Sequence, residues 1–263
     1  MMNRHPDRLP QTHGLIAFAD DQILSERLTA QADALGIRLE PLLEGLPPLT
    51  IPCVVIGVAH AKRVLSGLSR PAHGFVEWSA ADGQGLSVDC LDHAARGGQS
   101  LSINTRSAYE MDAANQFTQS LLTRFPHLEP IIGDIELALA EGVANAIIHG
   151  NLGIGSKMRN DLQGFAVFQA TLQQRLNDPA LIRRRVEITA IPVDDHQLEV
   201  CITDQGDGYD CVRQLGMSAE TEAKSGRGLG LIRQLANGIE VQEDGRRLRM
   251  LFCSPIPLIP PGR

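Results

Sequence analysis

A chain of 263 residues is long enough for one large domain or two small ones, and a composition 43% hydrophobic and 21% charged is that of a globular protein. The net charge of −7 without a basic block argues against nonspecific nucleic-acid binding. No run approaches the roughly 18 consecutive apolar residues of a membrane span, and the first ten residues do not read as a signal peptide.

Residues 1–13 are polar and proline-bearing and are expected to be loose. Residues 14–19 read as a short buried strand ending in Asp20 and Asp21. Apolar spacing at 24, 28, 32 and 35 predicts a helix over 23–35, stopped by Gly36. Residues 37–39, 52–59 and 75–78 read as further strands, with a short helix over 61–68. Strands alternating with helices imply a parallel α/β unit over about 14–98, closed by Gly97-Gly98-Gln99. A second domain is expected over about 100–255: a strand at 101–104, one helix over 108–125 and an apolar helix starting between Pro130 and Asp134. Gly150-Asn151 is a natural stop for that helix. Phe165, Phe168, Leu172 and Leu176 place a helix before Asp178-Pro179, and residues 186–191 and 198–203 read as an antiparallel pair. A helix after Leu229 and strands at 238–241 and 248–253 complete the pattern, before a proline-rich tail. Cys53, Cys90, Cys201, Cys211 and Cys253 form no Cys-x-x-Cys pair, so free thiols in a reducing cytoplasm are expected. The eight histidines show no metal-ligand spacing with cysteine or acid.

Three stretches carry chemistry. Residues 136–151 are apolar nearly all round, yet Glu141, Asn145 and His149 recur at i, i+4 and i+8. At about 100° per residue each step of four drifts only about 40°, so the three form one polar stripe on a buried helix. Such a stripe is satisfied either by a polar network in the core or by a ligand that carries a metal ion. Residues 201–208 run as a strand into Asp204-Gln205-Gly206-Asp207-Gly208, which a tight turn alone would also explain. Gly226-Arg227-Gly228-Leu229-Gly230-Leu231 opens an amphipathic helical pattern. The intervening residues 209–225 are short, charged and poor in large apolar groups, and read as a mobile lid.

In this order and spacing the three stretches resemble the N box and the two glycine boxes of the GHKL superfamily of ATPases. The resemblance implies a Bergerat fold over about 100–255: a two-layer α/β sandwich with a mixed, mostly antiparallel sheet. It implies ATP and Mg2+ as ligands. Glu141 would be the general base, Asn145 the magnesium ligand, Asp204 the reader of the adenine amino group, and Gly206 and Gly208 the places where backbone approaches base and ribose. Gly226, Gly228, Leu229 and Gly230 would close on the phosphates, Arg227 would add a charge-assisted contact, and His149 would orient a phosphate or a neighbouring side chain.

Within the superfamily the chain looks like an anti-sigma-factor serine/threonine kinase acting in bacterial signal transduction. The helix before the N box holds no histidine, and little chain follows the ATPase region. The expected partner is a protein, an anti-sigma-factor antagonist or a sigma factor, with no direct nucleic-acid or membrane partner and with a homodimer left open. Two alternatives stand beside it: a nucleotide-gated module that sequesters a partner with little catalysis, and a histidine-kinase-type ATPase acting in trans. Residues 14–98 are similar to a response-regulator receiver domain, but a degenerate one. Asp20 and Asp21 stand where a receiver holds magnesium, whereas the third strand runs into Gly57-Val58-Ala59-His60 without a phosphoacceptor aspartate, and no lysine follows on a fifth strand. An unrelated small α/β domain is the other reading.

Overall fold

The computed structural model describes residues 12, 14–43, 46, 49–80, 83–155, 162–208, 227–255 and 257–258. The chain divides into two compact units, Met1–Leu101 and Ser102–Arg263. Among the described residues no helix is long and apolar enough to cross a membrane.

The first unit is built on parallel strands. Strands β1 (Ile16–Ala19), β2 (Arg38–Pro41), β3 (Cys53–Gly57) and β4 (Gly74–Glu77) lie in the order β2-β1-β3-β4. Helices α1 (Glu26–Ala34), α2 (Ala61–Leu68) and α3 (Val88–Ala95) connect and flank them. β1, β3 and β4 are buried along their whole length, as expected of strands covered on both faces. Ser25, His60 and Ser87 cap the three helices through side-chain acceptors. Helix α3 has no counterpart in the sequence reading. Its eight residues are too few for a clear period, although Ser87 followed by Asp89 is a start signal. Its buried Leu91 and Ala94 join Val54, Ile56, Val76 and Trp78 in one apolar core.

The second unit follows strand β5 (Gln99–Asn104), which spans the boundary in sequence. Its sheet is antiparallel: β6 (Arg185–Pro192) pairs with β7 (Gln197–Asp204), β7 with β9 (Arg247–Cys253), and β9 with β8 (Gly238–Gln242). Val186, Ile188 and Ala190, Leu198, Val200 and Ile202, and Leu248, Met250 and Phe252 alternate along β6, β7 and β9 and form the buried face. Helices α4 (Thr105–Glu110), α5 (Ala113–Arg124), α6 (Ile132–Asn145), α7 (Leu162–Leu176), α8 (Pro179–Ile182) and α9 (Arg227–Leu235) complete it, and α5 and α9 both pack on α6.

The one helix expected over 108–125 is two. Asp112 takes a left-handed conformation (φ 46°) and separates α4 from α5; a short polar side chain tolerates that region better than most, and the apolar spacing on either side hides the break. Helix α7 buries Phe168, Leu172 and Leu176, but Phe165, expected on the same side, is 53% exposed.

Helix α6 is seated on the sheet by Gly142. A Cβ there would run into the Ile202 Cδ1 and would lie 3.6 Å from Leu248 Cδ2. On an exposed helix, replacing glycine by a good helix former gains about 1 kcal/mol. Here Gly142→Leu is expected to cost about 1–3 kcal/mol through overpacking. Thermal denaturation checks this: an unchanged or higher Tm would mean that α6 does not lie on β7 as described.

Candidate functional site

The site is assembled from the end of α6, the end of β7 and the head of α9. After Asn145 the helix widens into a π-helical turn, Ala146–Asn151, in which Leu152 N–H donates to Ile147 O at 2.9 Å. Single wide turns of this kind commonly occur at functional sites. The expected stop at Gly150-Asn151 therefore takes another form. Gly150 is not left-handed; the positive φ (60°) belongs to Gly153. Gly150 must be glycine because a Cβ would fall 2.5 Å from the Asp204 Cγ and Oδ1.

Asp204 ends β7, and its side chain is 8% exposed. Its carboxylate accepts from Gly206 N–H at 2.8 Å, while its own N–H donates to Arg246 O at 2.9 Å. Gly206 in turn presses on the Gly150 backbone, which a Cβ would strike. Gly208 is left-handed (φ 74°) and abuts Asp244 O in the turn before β9. The close approaches that require glycine at 206 and 208 are thus made by the protein's own backbone. Burial pushes the Asp204 carboxyl up to about 6, against the opposing Gly206 hydrogen bond and the charges of Arg246 and Arg184.

Glu141 and Asn145 lie one turn apart on α6, both half-buried. Gly228, in the first turn of α9, sits against them: a Cβ there would be 2.7 Å from Glu141 Oε2 and 3.3 Å from Asn145 Nδ2. Leu229 is buried beneath the same turn, and Gly230 follows half-buried. Gly226 and residues 209–225 lie outside the described residues, and Arg227 is described only as the first residue of α9. The Nδ1 of His149 bonds Ile154 O at 2.5 Å, which ties the π-helical turn to the chain that leaves it.

The structure therefore brings Glu141, Asn145 and Gly228 together, and separately joins Gly150, Asp204 and Gly206. A carboxylate, an amide oxygen and the N–H groups of a helix head suit a phosphate with its hard cation. A buried carboxylate at a strand end suits a donor such as an exocyclic amine. The tight approaches at these glycines are filled by the protein's own atoms, and it is the donor set, a carboxylate and an amide beside a helix head with a second, buried carboxylate, that fits the nucleotide and magnesium the motifs imply.

Sequence reasoning missed Asn151, Thr105 and Arg184. Asn151 is fully buried; its side chain bonds Gln205 N, Thr105 Oγ1 and Arg185 O, each at 2.8 Å. Its signal was a further polar residue at the end of a nearly all-apolar stretch, well off the Glu141–Asn145 stripe and hence in need of partners of its own.

The sequence profile of the family described as a histidine kinase-like ATPase domain matches residues 103–252, more than half of the chain. The chain belongs to that family. No curated protein matches it.

Because the folded state holds the Asp204 proton more tightly than the unfolded chain, Asp204 favours folding below its ordinary titration range. That advantage is lost as pH rises through about 6. At neutral pH the buried carboxylate costs on the order of 2–3 kcal/mol in the nucleotide-free protein. Asp204→Asn, which keeps an acceptor for Gly206 N–H, is expected to raise the Tm at pH 8 and to leave it nearly unchanged at pH 4. Equal changes at both pH values would contradict the burial of a charged Asp204.

Proposed function

We propose that the chain is an ATP-dependent serine/threonine protein kinase of the anti-sigma-factor type, acting in the cytoplasm on a hydroxyl of a small protein antagonist. The supporting observation is that Gly228, at the head of α9, packs directly against Glu141 and Asn145, which puts a carboxylate, an amide and a helix head side by side. Bound Mg-ATP supplies the γ-phosphoryl group and the cation that offsets its charge. Asn145 Oδ1 holds the magnesium. The N–H groups at the head of α9 face negative charge, and Arg227 adds a charge-assisted contact. The Asp204 carboxylate accepts a hydrogen bond from the adenine amino group and meets only an acceptor in guanine. Glu141 takes the proton of the incoming serine or threonine hydroxyl, whose oxygen bonds the γ-phosphorus as the bond to the bridging oxygen breaks and ADP leaves. His149 ties the π-helical turn after α6 to the chain that leaves it through Ile154 O.

The two residues on α6 serve different steps and should separate by mutation. Asn145→Ala should weaken Mg-ATP binding and transfer together. Glu141→Gln keeps shape and hydrogen bonding while removing the base, so nucleotide affinity should hardly change while transfer falls by about 10²–10⁴. Labelled ATP with candidate antagonists measures both, and the phosphoprotein should be acid-stable. Transfer by Glu141→Gln at the wild-type rate would show that Glu141 is structural. An acid-labile product would favour a histidine-kinase-type activity in trans. Mg-ATP binding without transfer to any partner, by wild type and mutant alike, would favour the nucleotide-gated sequestering module.

For residues 14–98 we propose a degenerate receiver-like module that serves contacts rather than phosphorylation. Two observations support it: the parallel order β2-β1-β3-β4, and the Arg63 guanidinium paired with Asp20, where a receiver would hold its cation. Gly57 ends β3 beside that pair, where a Cβ would be 3.0 Å from Asp20 Oδ2. Acetyl phosphate and beryllofluoride should leave this unit unmodified, as read by mass spectrometry and amide spectra. A phosphoprotein dependent on Asp20 or Asp21 would overturn the proposal.

A further inference from the structure

We propose that Asn151 is a positioning residue that fixes where the Asp204 carboxylate stands, acting through the Gln205 peptide and the Gly150 backbone. The role deepens the site proposed above, because it matters for ligand recognition only if Asp204 reads the adenine amino group.

Asn151 uses three of the four hydrogen-bonding positions of its amide within the protein. Oδ1 accepts from Gln205 N–H, and Nδ2 donates to Thr105 Oγ1 and to Arg185 O, each at 2.8 Å. Its main-chain oxygen accepts from Arg184 Nη1 at 3.0 Å. Gln205 answers across the same gap: its Oε1 accepts from Arg185 N–H at 2.9 Å. Thr105 closes the ring, giving its hydroxyl to Arg184 O at 2.7 Å and its N–H to the same oxygen at 2.8 Å. The fully buried Asn151 amide and the amide of the exposed Gln205 thus clamp the end of the π-helical turn, the start of β6 and the end of β7 to one another.

Asp204 lies inside that clamp. The bond from Gln205 N–H fixes the peptide immediately after it. Gly150, immediately before Asn151, touches its carboxylate from the other side. Asn151 also holds Arg184, one of two cations that act on Asp204; the other, Arg246, comes from the turn before β9, and Gly206 N–H completes the charged and polar groups facing the carboxylate. A fully buried amide that loses such partners leaves polar groups unsatisfied, so the clamp has one preferred arrangement and holds Asp204 in one place.

The test compares wild type with Asn151→Ala and Thr105→Val, the second a near-isosteric change that leaves Asn151 two of its partners. Carboxyl-carbon NMR follows the Asp204 titration without nucleotide, and calorimetry gives affinities for Mg-ADP and Mg-IDP, which lacks the exocyclic amine. In Asn151→Ala the titration midpoint should fall from about 6 toward ordinary carboxylate values as water reaches Asp204. ADP affinity should drop about tenfold or more, IDP affinity much less, so the preference for ADP shrinks. Thr105→Val should move the midpoint and the preference in the same direction by less. An unchanged midpoint and ADP preference in folded Asn151→Ala, or in Thr105→Val if the first variant does not fold, would overturn the proposal. If the midpoint moves but wild type binds neither nucleotide, the positioning role stands and the nucleotide site does not.

Discussion

The second unit depends on one close backbone approach, that of Gly150 to Asp204 and Gly206. The contact brings the end of the central helix to the end of a sheet strand at a spacing that no side chain at either glycine could enter. From it follow the wide turn after Asn145, which delivers Gly150 to the strand end, and the burial of Asp204. The Asn151 hydrogen bonds lock the approach in place. With α6 held at this end and seated through Gly142 on Ile202, the Glu141–Asn145 stripe turns toward the head of α9. Two clusters, Glu141 and Asn145 against Gly228 and Gly150 against Asp204 and Gly206, are set by a single helix.

This arrangement is not the one that would make the empty protein most stable. A carboxylate 8% exposed is held against the strong preference of charge for water, and burial raises its proton affinity accordingly. The Gly206 N–H and the two arginines recover only part of that cost. A ligand offering a hydrogen-bond donor would recover more, which is the usual relation between a strained or desolvated group and the partner it is kept for. By contrast, burial pushes the Cys201 thiol up to about 11, which leaves it an unreactive core residue.

Much of this was legible in the sequence because it is periodic. The polar stripe at 141 and 145, the alternation along β6 and β7, and the apolar strands of the first unit all follow from geometry that repeats every 3.6 or 2 residues. The rest depends on single residues whose effect is tertiary. Asp112 breaks a helix without disturbing the apolar spacing on either side. Gly150 resembles a helix stop, and only the neighbouring strand shows that it is a point of contact instead. Asn151 stands off the stripe, and its partners lie 34 to 54 residues away in sequence, beyond the reach of any local pattern. Phe165 falls within the arc of the buried Phe168, Leu172 and Leu176 on α7 and yet is exposed; it lies in the first turn of the helix, and period gives the face but not how far along the helix that face is covered.

The most direct test of the account is an amide-resolved titration of the labelled protein with a non-hydrolysable ATP analogue and magnesium. A single nucleotide should bridge the two clusters, so the amides of Gly150, Asn151 and Gly206 should shift with the same saturation curve as that of Gly228, and the guanine analogue should leave the first group unmoved. If the analogue saturates the protein while shifting only residues elsewhere, or shifts neither cluster at any concentration, the site described here is not where the nucleotide binds.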